Sequence, residues 1–233
     1  MQRKLFLRYL GAALGTLALT PVLTACGGGN DLAAASAQLA TSTAVATTAS
    51  SATTAASLSI EEIAGLKFMR EEEKLAHDVY VALYSLWGAN VFYQISLSET
   101  THTEVILALL TKYDIEDPGA TTALGEFADP ELQTLYNTLM TLGQVNLIEA
   151  LKVGALIEET DIRDIHEKLA ITNAADIVMV YTSLLCGSRN HLRAFNDNLL
   201  KQGVTYVPQV ISQEEWDAIA NAPAETCGGA LNR

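Results

Sequence analysis

The chain has 233 residues, and 27 acidic against 14 basic side chains give a formal net charge of −13. Nucleic acid and anionic membrane surfaces are poor partners for such a chain, because each would be approached against like charge. Once an N-terminal leader is set aside, the remaining length suits one domain with a full core.

The leader comes first. Arg3, Lys4 and Arg8 make a basic start, and the apolar run over residues 10–23 is too short to span a membrane comfortably. It ends in Leu23-Thr24-Ala25-Cys26, followed by glycines. This resembles the bacterial lipoprotein signal, which implies a signal peptide over residues 1–25 and acylation of Cys26 as the new N-terminus. The alternative is an ordinary secretory signal ending near a cysteine. Either way the mature chain is expected outside the cytoplasm. The lipoprotein reading anchors it at the cell envelope, on the periplasmic side of the outer membrane if the host has two membranes. Residues 26–57 are then the lipidated cysteine and a tether of mostly Ala, Ser and Thr with no aromatic residue. The folded domain is expected over residues 58–221, with a tail at 222–233. Two cysteines remain, Cys186 and Cys227, which in an oxidising compartment either pair and pin the tail or stay free. No Cys-x-x-Cys pair exists, which excludes a rubredoxin-type iron centre.

The domain reads as all-α. Ser59 and Glu62 have capping-box spacing and open a first helix that ends near Trp87-Gly88. A second helix is expected over about residues 91–113. Asp129 caps and Pro130 begins a short helix closed by Gly143. Asn146 and Glu149 open a third long helix to about Ala170. Thr172 is expected to cap the fourth, which runs to about Gln202 and stops at Gly203. Ser212 and Glu215 open a short C-terminal helix. Tight links within the first and second helix pairs predict antiparallel neighbours. The long connection between the pairs, with its own short helix, predicts a four-helix bundle with one long crossover.

Each long helix carries an apolar stripe at alternating steps of three and four, and each stripe is interrupted once by metal-binding residue types. In the first, Leu66 and Met69 lead to Glu73 before Ala76, Tyr80, Leu83 and Trp87. In the second, Phe92 and Ile95 lead to Glu99 and His102 before Ile106, Leu109 and Tyr113. The third runs Leu147, Leu151, Gly154, Glu158, Asp161, Ile165, and the fourth Ile177, Tyr181, Leu184, Ser188, His191, Phe195. Four carboxylates and two imidazoles would thus point into one core, where unpartnered charges are costly. A Glu-x-x-His pair such as Glu99 and His102 offers oxygen and nitrogen ligands from one helix face. Taken singly, each acid fits a rim residue paired with Lys or Arg, and each histidine fits a hydrogen-bonded core residue. A metal-free cluster sharing protons is the other reading of the whole set. Glu71 and Glu72 fall off the first stripe and are expected on a solvated face; His77 and His166 are expected to be exposed. Arg189 and Arg193 are expected to pair with surface acids or helix ends.

This arrangement resembles the ferritin-like di-iron carboxylate superfamily. The run from Glu73 to Tyr80, with Ala76 and Tyr80 at its third and seventh places, is similar to the first-helix signature of rubrerythrin-type proteins. Glu158 and Asp161 are similar to their third-helix acids. The runs Met69-Arg70-Glu71-Glu72-Glu73-Lys74-Leu75-Ala76 and Gly187-Ser188-Arg189-Asn190-His191-Leu192-Arg193-Ala194-Phe195 resemble a bacterial and archaeal family known as domain of unknown function 2202. The resemblance implies a centre of two divalent ions, iron or manganese, held by Glu73, Glu99, His102, Glu158, Asp161 and His191. It implies ferrous-ion oxidation or reduction of peroxide or oxygen. Tyr80, Tyr181 and Ser188 are candidates for the shell around the ligands. One departure is plain: Ser188 stands where a second Glu is usual, so Asp161 supplies the missing carboxylate or the site is lopsided. The alternative is a non-enzymatic envelope module for interaction or metal storage. The partners expected are metal ions, the membrane through the N-terminal lipid only, and a second copy in a homodimer; nucleic acid is not among them.

Overall fold

The computed structural model describes residues 58–228. The expected signal peptide, Cys26, the tether and the last five residues lie outside them. Among the described residues there are six helices and no strand: α1 (Ile60–Trp87), α2 (Asn90–Lys112), α3 (Pro130–Gly143), α4 (Leu147–Leu169), α5 (Ala175–Lys201) and α6 (Gln213–Ala220). None of them is long and apolar enough to cross a membrane.

The helix ends follow from local chemistry. Ser59 Oγ accepts the Glu62 N–H at 3.1 Å, and the Glu62 carboxylate accepts the Ser59 N–H at 2.8 Å, completing the capping box of α1. Gly88 closes α1 at φ +64°, a left-handed position that glycine takes without a Cβ penalty. Asp129, Asn146 and Ser212 cap α3, α4 and α6 through their side chains. Contrary to the expectation from sequence, Thr172 does not cap α5. The helix begins later, after Ala174, and the Thr172 hydroxyl instead accepts the Ala174 N–H and donates to Glu62 at 2.6 Å. A tertiary partner on α1 has outcompeted the local one.

Three contacts give the helix directions. Trp87, at the end of α1, donates to the Gly143 carbonyl just before α4. Glu62, at the start of α1, meets Thr172 between α4 and α5. Lys112 and Tyr113, at the end of α2, bond Asp176 at the start of α5. So α1 runs antiparallel to both α2 and α4, α5 runs antiparallel to α2, and residues 113–146 travel the length of the molecule. The principal packings are α1 on α2, α4 on α5, α1 on α4 and α2 on α5, with α3 against α1 and α4 and α6 against α5.

The stripes meet in the middle. Trp87, Tyr113 and Leu147, at stripe ends, are half-buried, and the other stripe members are buried. Tyr80, Phe92 and Phe195 pack together with ring centroids 5.3–6.2 Å apart. Glu71 and Glu72 are not on a solvated face; they are 4% and 3% exposed. The long connection covers Glu71, which accepts the Ala128 N–H at 2.5 Å and the Asp129 N–H at 3.2 Å, satisfying backbone donors just before α3, while Glu72 lies against Asp164 of α4.

Candidate metal centre

One turn at the middle of each long helix supplies the cluster: Glu73 from α1, Glu99 and His102 from α2, Glu158 and Asp161 from α4, and Ser188 and His191 from α5. None of the six expected ligands is more than 8% exposed. Five of them form two triads, Glu73–Glu99–His102 and Glu99–Glu158–His191, with ligand atoms in each within 4.8 Å of one another. Glu99 is common to both. Its Oε2 lies 2.8 Å from His102 Nδ1 and its Oε1 lies 2.8 Å from His191 Nδ1. His102 Nδ1 is 3.1 Å from Glu73 Oε2, and His191 Nδ1 is 3.4 Å from Glu158 Oε2. The two imidazoles stack 5.5 Å apart, so one carboxylate spans two matched nitrogen–oxygen corners.

The donor set fits cations. Glu73 Oε1, both oxygens of Glu99, Glu158 Oε2, Asp161 Oδ2 and His191 Nδ1 are buried with no hydrogen-bond partner. Several of these atoms lie close to one another without the alignment of a hydrogen bond. Buried polar atoms are normally satisfied, and a set of orphans facing a common space is what a ligand cage presents. Carboxylate oxygen with imidazole nitrogen suits divalent first-row metals.

The electrostatics of the bare cluster are those of acids forced together. Burial pushes Glu73 up to about 7, against the pull of the His102 charge. Burial also raises Glu158, and it raises Asp161 strongly with help from the charges of Glu72, Glu73 and Glu158. Glu99 goes the other way: burial raises it, but His102 and His191 on either side more than reverse that. Burial lowers both histidines, and the carboxylates overcome it, taking His191 to about 9 and His102 well above its ordinary value. Without metal the cluster therefore holds protons on both imidazoles and on part of its carboxylates, and those are the protons that cations would displace.

Asp161 is buried beside the triads and belongs to neither. Ser188 is buried, and its hydroxyl donates to the Leu184 carbonyl one turn back at 3.2 Å. Tyr80 donates to Glu158 Oε1 at 2.6 Å, and burial followed by the Glu158 charge keeps the phenol protonated. Tyr181 sits at the other end of α1, its hydroxyl 3.7 Å from where a Cβ on Gly65 would lie. His77 is half-buried against Asp78, and His166 is exposed. Arg189 and Arg193 pair with Glu225, and Arg193 also donates to the Ile219 carbonyl near the end of α6. Cys186 and Cys227 are disulfide-bonded.

Sequence reasoning missed several buried carboxylates, Glu72, Asp164 and Glu159 among them. Burial and the neighbouring Asp164 raise Glu72 strongly. Asp164 continues the acidic turn of α4 three residues past Asp161, a spacing visible in the sequence. Glu159 is fully buried and accepts the N–H groups of Gln209, Val210 and Ile211 through one oxygen, fixing the segment between α5 and α6. No local pattern marks Glu159, because its partners lie some fifty residues away.

A family model described as an uncharacterised protein domain, DUF2202, matches residues 62–223. The chain is similar to the uncharacterised protein MJ0754 of Methanocaldococcus jannaschii, with 45% identity over 168 residues, covering 72% of this chain and 91% of that protein. A crystal structure of the hypothetical protein MJ0754 is similar at a TM-score of 0.71, covering 72% of this chain and 96% of that one.

Proposed function

The chain belongs to the DUF2202 family, and from that premise and the geometry of the cluster we propose that it is a ferritin-like four-helix bundle that binds two divalent metal ions, iron or manganese. The observation that carries this is Glu99, one carboxylate shared by two triads, with both of its oxygens, Glu73 Oε1, Glu158 Oε2 and His191 Nδ1 left without a hydrogen-bond partner. Glu73, Glu99 and His102 would hold one ion; Glu99, Glu158 and His191 the other. Asp161 stands beside both as a further acid where α5 offers only Ser188. The metals would supply redox chemistry, in ferrous-ion oxidation or in reduction of peroxide or oxygen. The chain itself would hold the ligands in place, exclude bulk water with the Tyr80, Phe92 and Phe195 rings, and keep a proton on Tyr80 against Glu158. The N-terminal residues extend the proposal to a lipid anchor on Cys26 and a place at the cell envelope.

A second reading rests on Ser188. Its hydroxyl is bonded to its own helix, which favours an unequal site that stores metal or serves only an interaction role without turnover. Elemental analysis of the chain after anaerobic loading with ferrous or manganous ion separates the readings. About two ions per chain, lost in the Glu73→Ala/Glu99→Ala variant, are expected. About one ion would favour the unequal site. No retained metal in a folded helical chain would overturn the metal reading.

A further inference from the structure

A cavity of about 350 Å³ lies against the histidine side of the cluster. Ser98, Thr101 and His102 of α2 form one wall, and Ser183, Asn190 and His191 of α5 form the other. The imidazoles that turn Nδ1 toward the carboxylates are thus also part of the cavity surface. His191 Nε2 is hydrogen-bonded there to Ser98 Oγ at 3.0 Å. Gly187 keeps this wall thin: a Cβ at that position would fall 2.7 Å from His102 Cε1 and Nε2. The two helix walls present hydroxyl, amide and imidazole groups, which suit a small molecule that both donates and accepts hydrogen bonds.

The outer wall is the segment after α6, through Glu225, Cys227 and Gly228. This strap, residues 221–228, returns along α5 and is tied to it by polar groups. Glu225 takes Arg189 Nε at 2.8 Å and Arg193 Nη2 at 2.7 Å. Its backbone N–H and carbonyl bond the two ends of the Asn190 amide, each at 2.9 Å. The strap sequence, Asn-Ala-Pro-Ala-Glu-Thr-Cys-Gly, offers no large apolar side chain to bury. A segment held by half-exposed polar contacts alone opens at low free-energy cost. The Cys186–Cys227 disulfide removes that freedom.

We propose that this cavity is the access route by which a small hydrogen-bonding molecule reaches the metal centre, and that the Cys186–Cys227 disulfide is a thiol-sensitive latch holding the strap across it. The access role rests on the metal reading above; the latch rests on the strap geometry. The co-reactant is a dithiol reductant. Its thiolate attacks the sulfur of half-buried Cys227, and Cys186 leaves and takes up a proton. Its second sulfur then attacks the mixed disulfide and releases Cys227, which is protonated in turn. Two electrons and two protons pass to the chain, and the dithiol departs as a disulfide.

The test is acylation of the imidazoles by diethyl pyrocarbonate, followed residue by residue by mass spectrometry on the metal-free chain. Oxidised chain, dithiol-reduced chain freed of reductant and the Cys227→Ser variant are compared at one mildly alkaline pH, so that imidazole protonation weighs on all three alike, with exposed His166 as internal reference. His102 and His191 are expected to react about tenfold faster once the disulfide is gone, with His166 unchanged and helical circular dichroism retained. Reoxidation of the reduced chain restores the slow rate, which keeps the test decisive if the variant folds poorly. Equal rates in oxidised and reduced chain, or loss of helix on reduction, would overturn the latch. Because acylation needs no metal, the two readings fail separately. A gated chain that retains no metal would overturn the metal centre and the access role with it. An ungated chain that holds its metal would overturn the latch alone.

Discussion

Glu99 decides the character of the cluster because each of its oxygens meets a different imidazole. Gly187 decides whether His102 can reach it. Gly187→Ala places a methyl group 2.7 Å from two ring atoms of His102, which can make room only by leaving Glu99 and Glu73. The expected result is a loss of about 1–3 kcal/mol in urea unfolding and a fall in bound metal. Unchanged stability together with unchanged metal content would contradict this placement of His102. The six candidate ligands were legible as in-phase residues because helical periodicity puts them on the core face whatever the fold around them. Glu71 and Glu72 were misread for the same reason. Periodicity identifies the face turned to the long helices, whereas these two are covered by the crossover segment and by α4, which no stripe on α1 reveals.

Among the elements, the capped helices were the most legible, since an N-cap is a contact between residues three apart. The start of α5 was not, because Thr172 found Glu62 on another helix. The strap after α6 carries a pH dependence of its own. Arg189 first, then Arg193, hold Glu225 down to about 2, against an ordinary value of 4.5. A carboxylate with a depressed folded-state value contributes stability that is fully present above the unfolded value and disappears as pH falls through the folded one. The strap is therefore expected to lose its ionic tie between about pH 4.5 and pH 2. Protection factors for amide hydrogen exchange at residues 221–228, each rate divided into the intrinsic rate at the same pH, should fall in that window in reduced chain, and Glu225→Gln should remove the dependence. Protection factors that are flat across the window in reduced wild-type chain would show that the tie contributes nothing.

For the whole molecule, burying so many acids in one place is a cost that cations would offset. A metal that binds the native chain and not the unfolded one stabilises by mass action, about 2.7 kcal/mol at a hundredfold excess over Kd. Chelator treatment of metal-loaded chain should then lower Tm by about 5–10 °C for a domain of this size. A Tm unmoved by chelation in chain shown to lose its metal would mean that the cluster is stable on shared protons alone. The same comparison made with Glu158→Gln separates the triads. It removes charge from the α4–α5 corner and leaves Glu73 and His102 untouched, so a smaller chelation effect is expected than in wild type.

The sequence by itself determined the helices, most of their ends, the faces they turn inward and the six residues that interrupt those faces. All of these depend on spacing along one chain. The tertiary structure decided what spacing cannot carry: that Glu99 is shared while Asp161 stands outside both triads, that Glu71, Glu72 and Glu159 are buried, and that Thr172 serves α1. It also decided that the strap lies across the histidine side of the cluster, bonded to α5. Each of those outcomes depends on which distant backbone arrives at a given side chain. That is settled by packing between helices and by the path of the crossover, not by the period of any one of them.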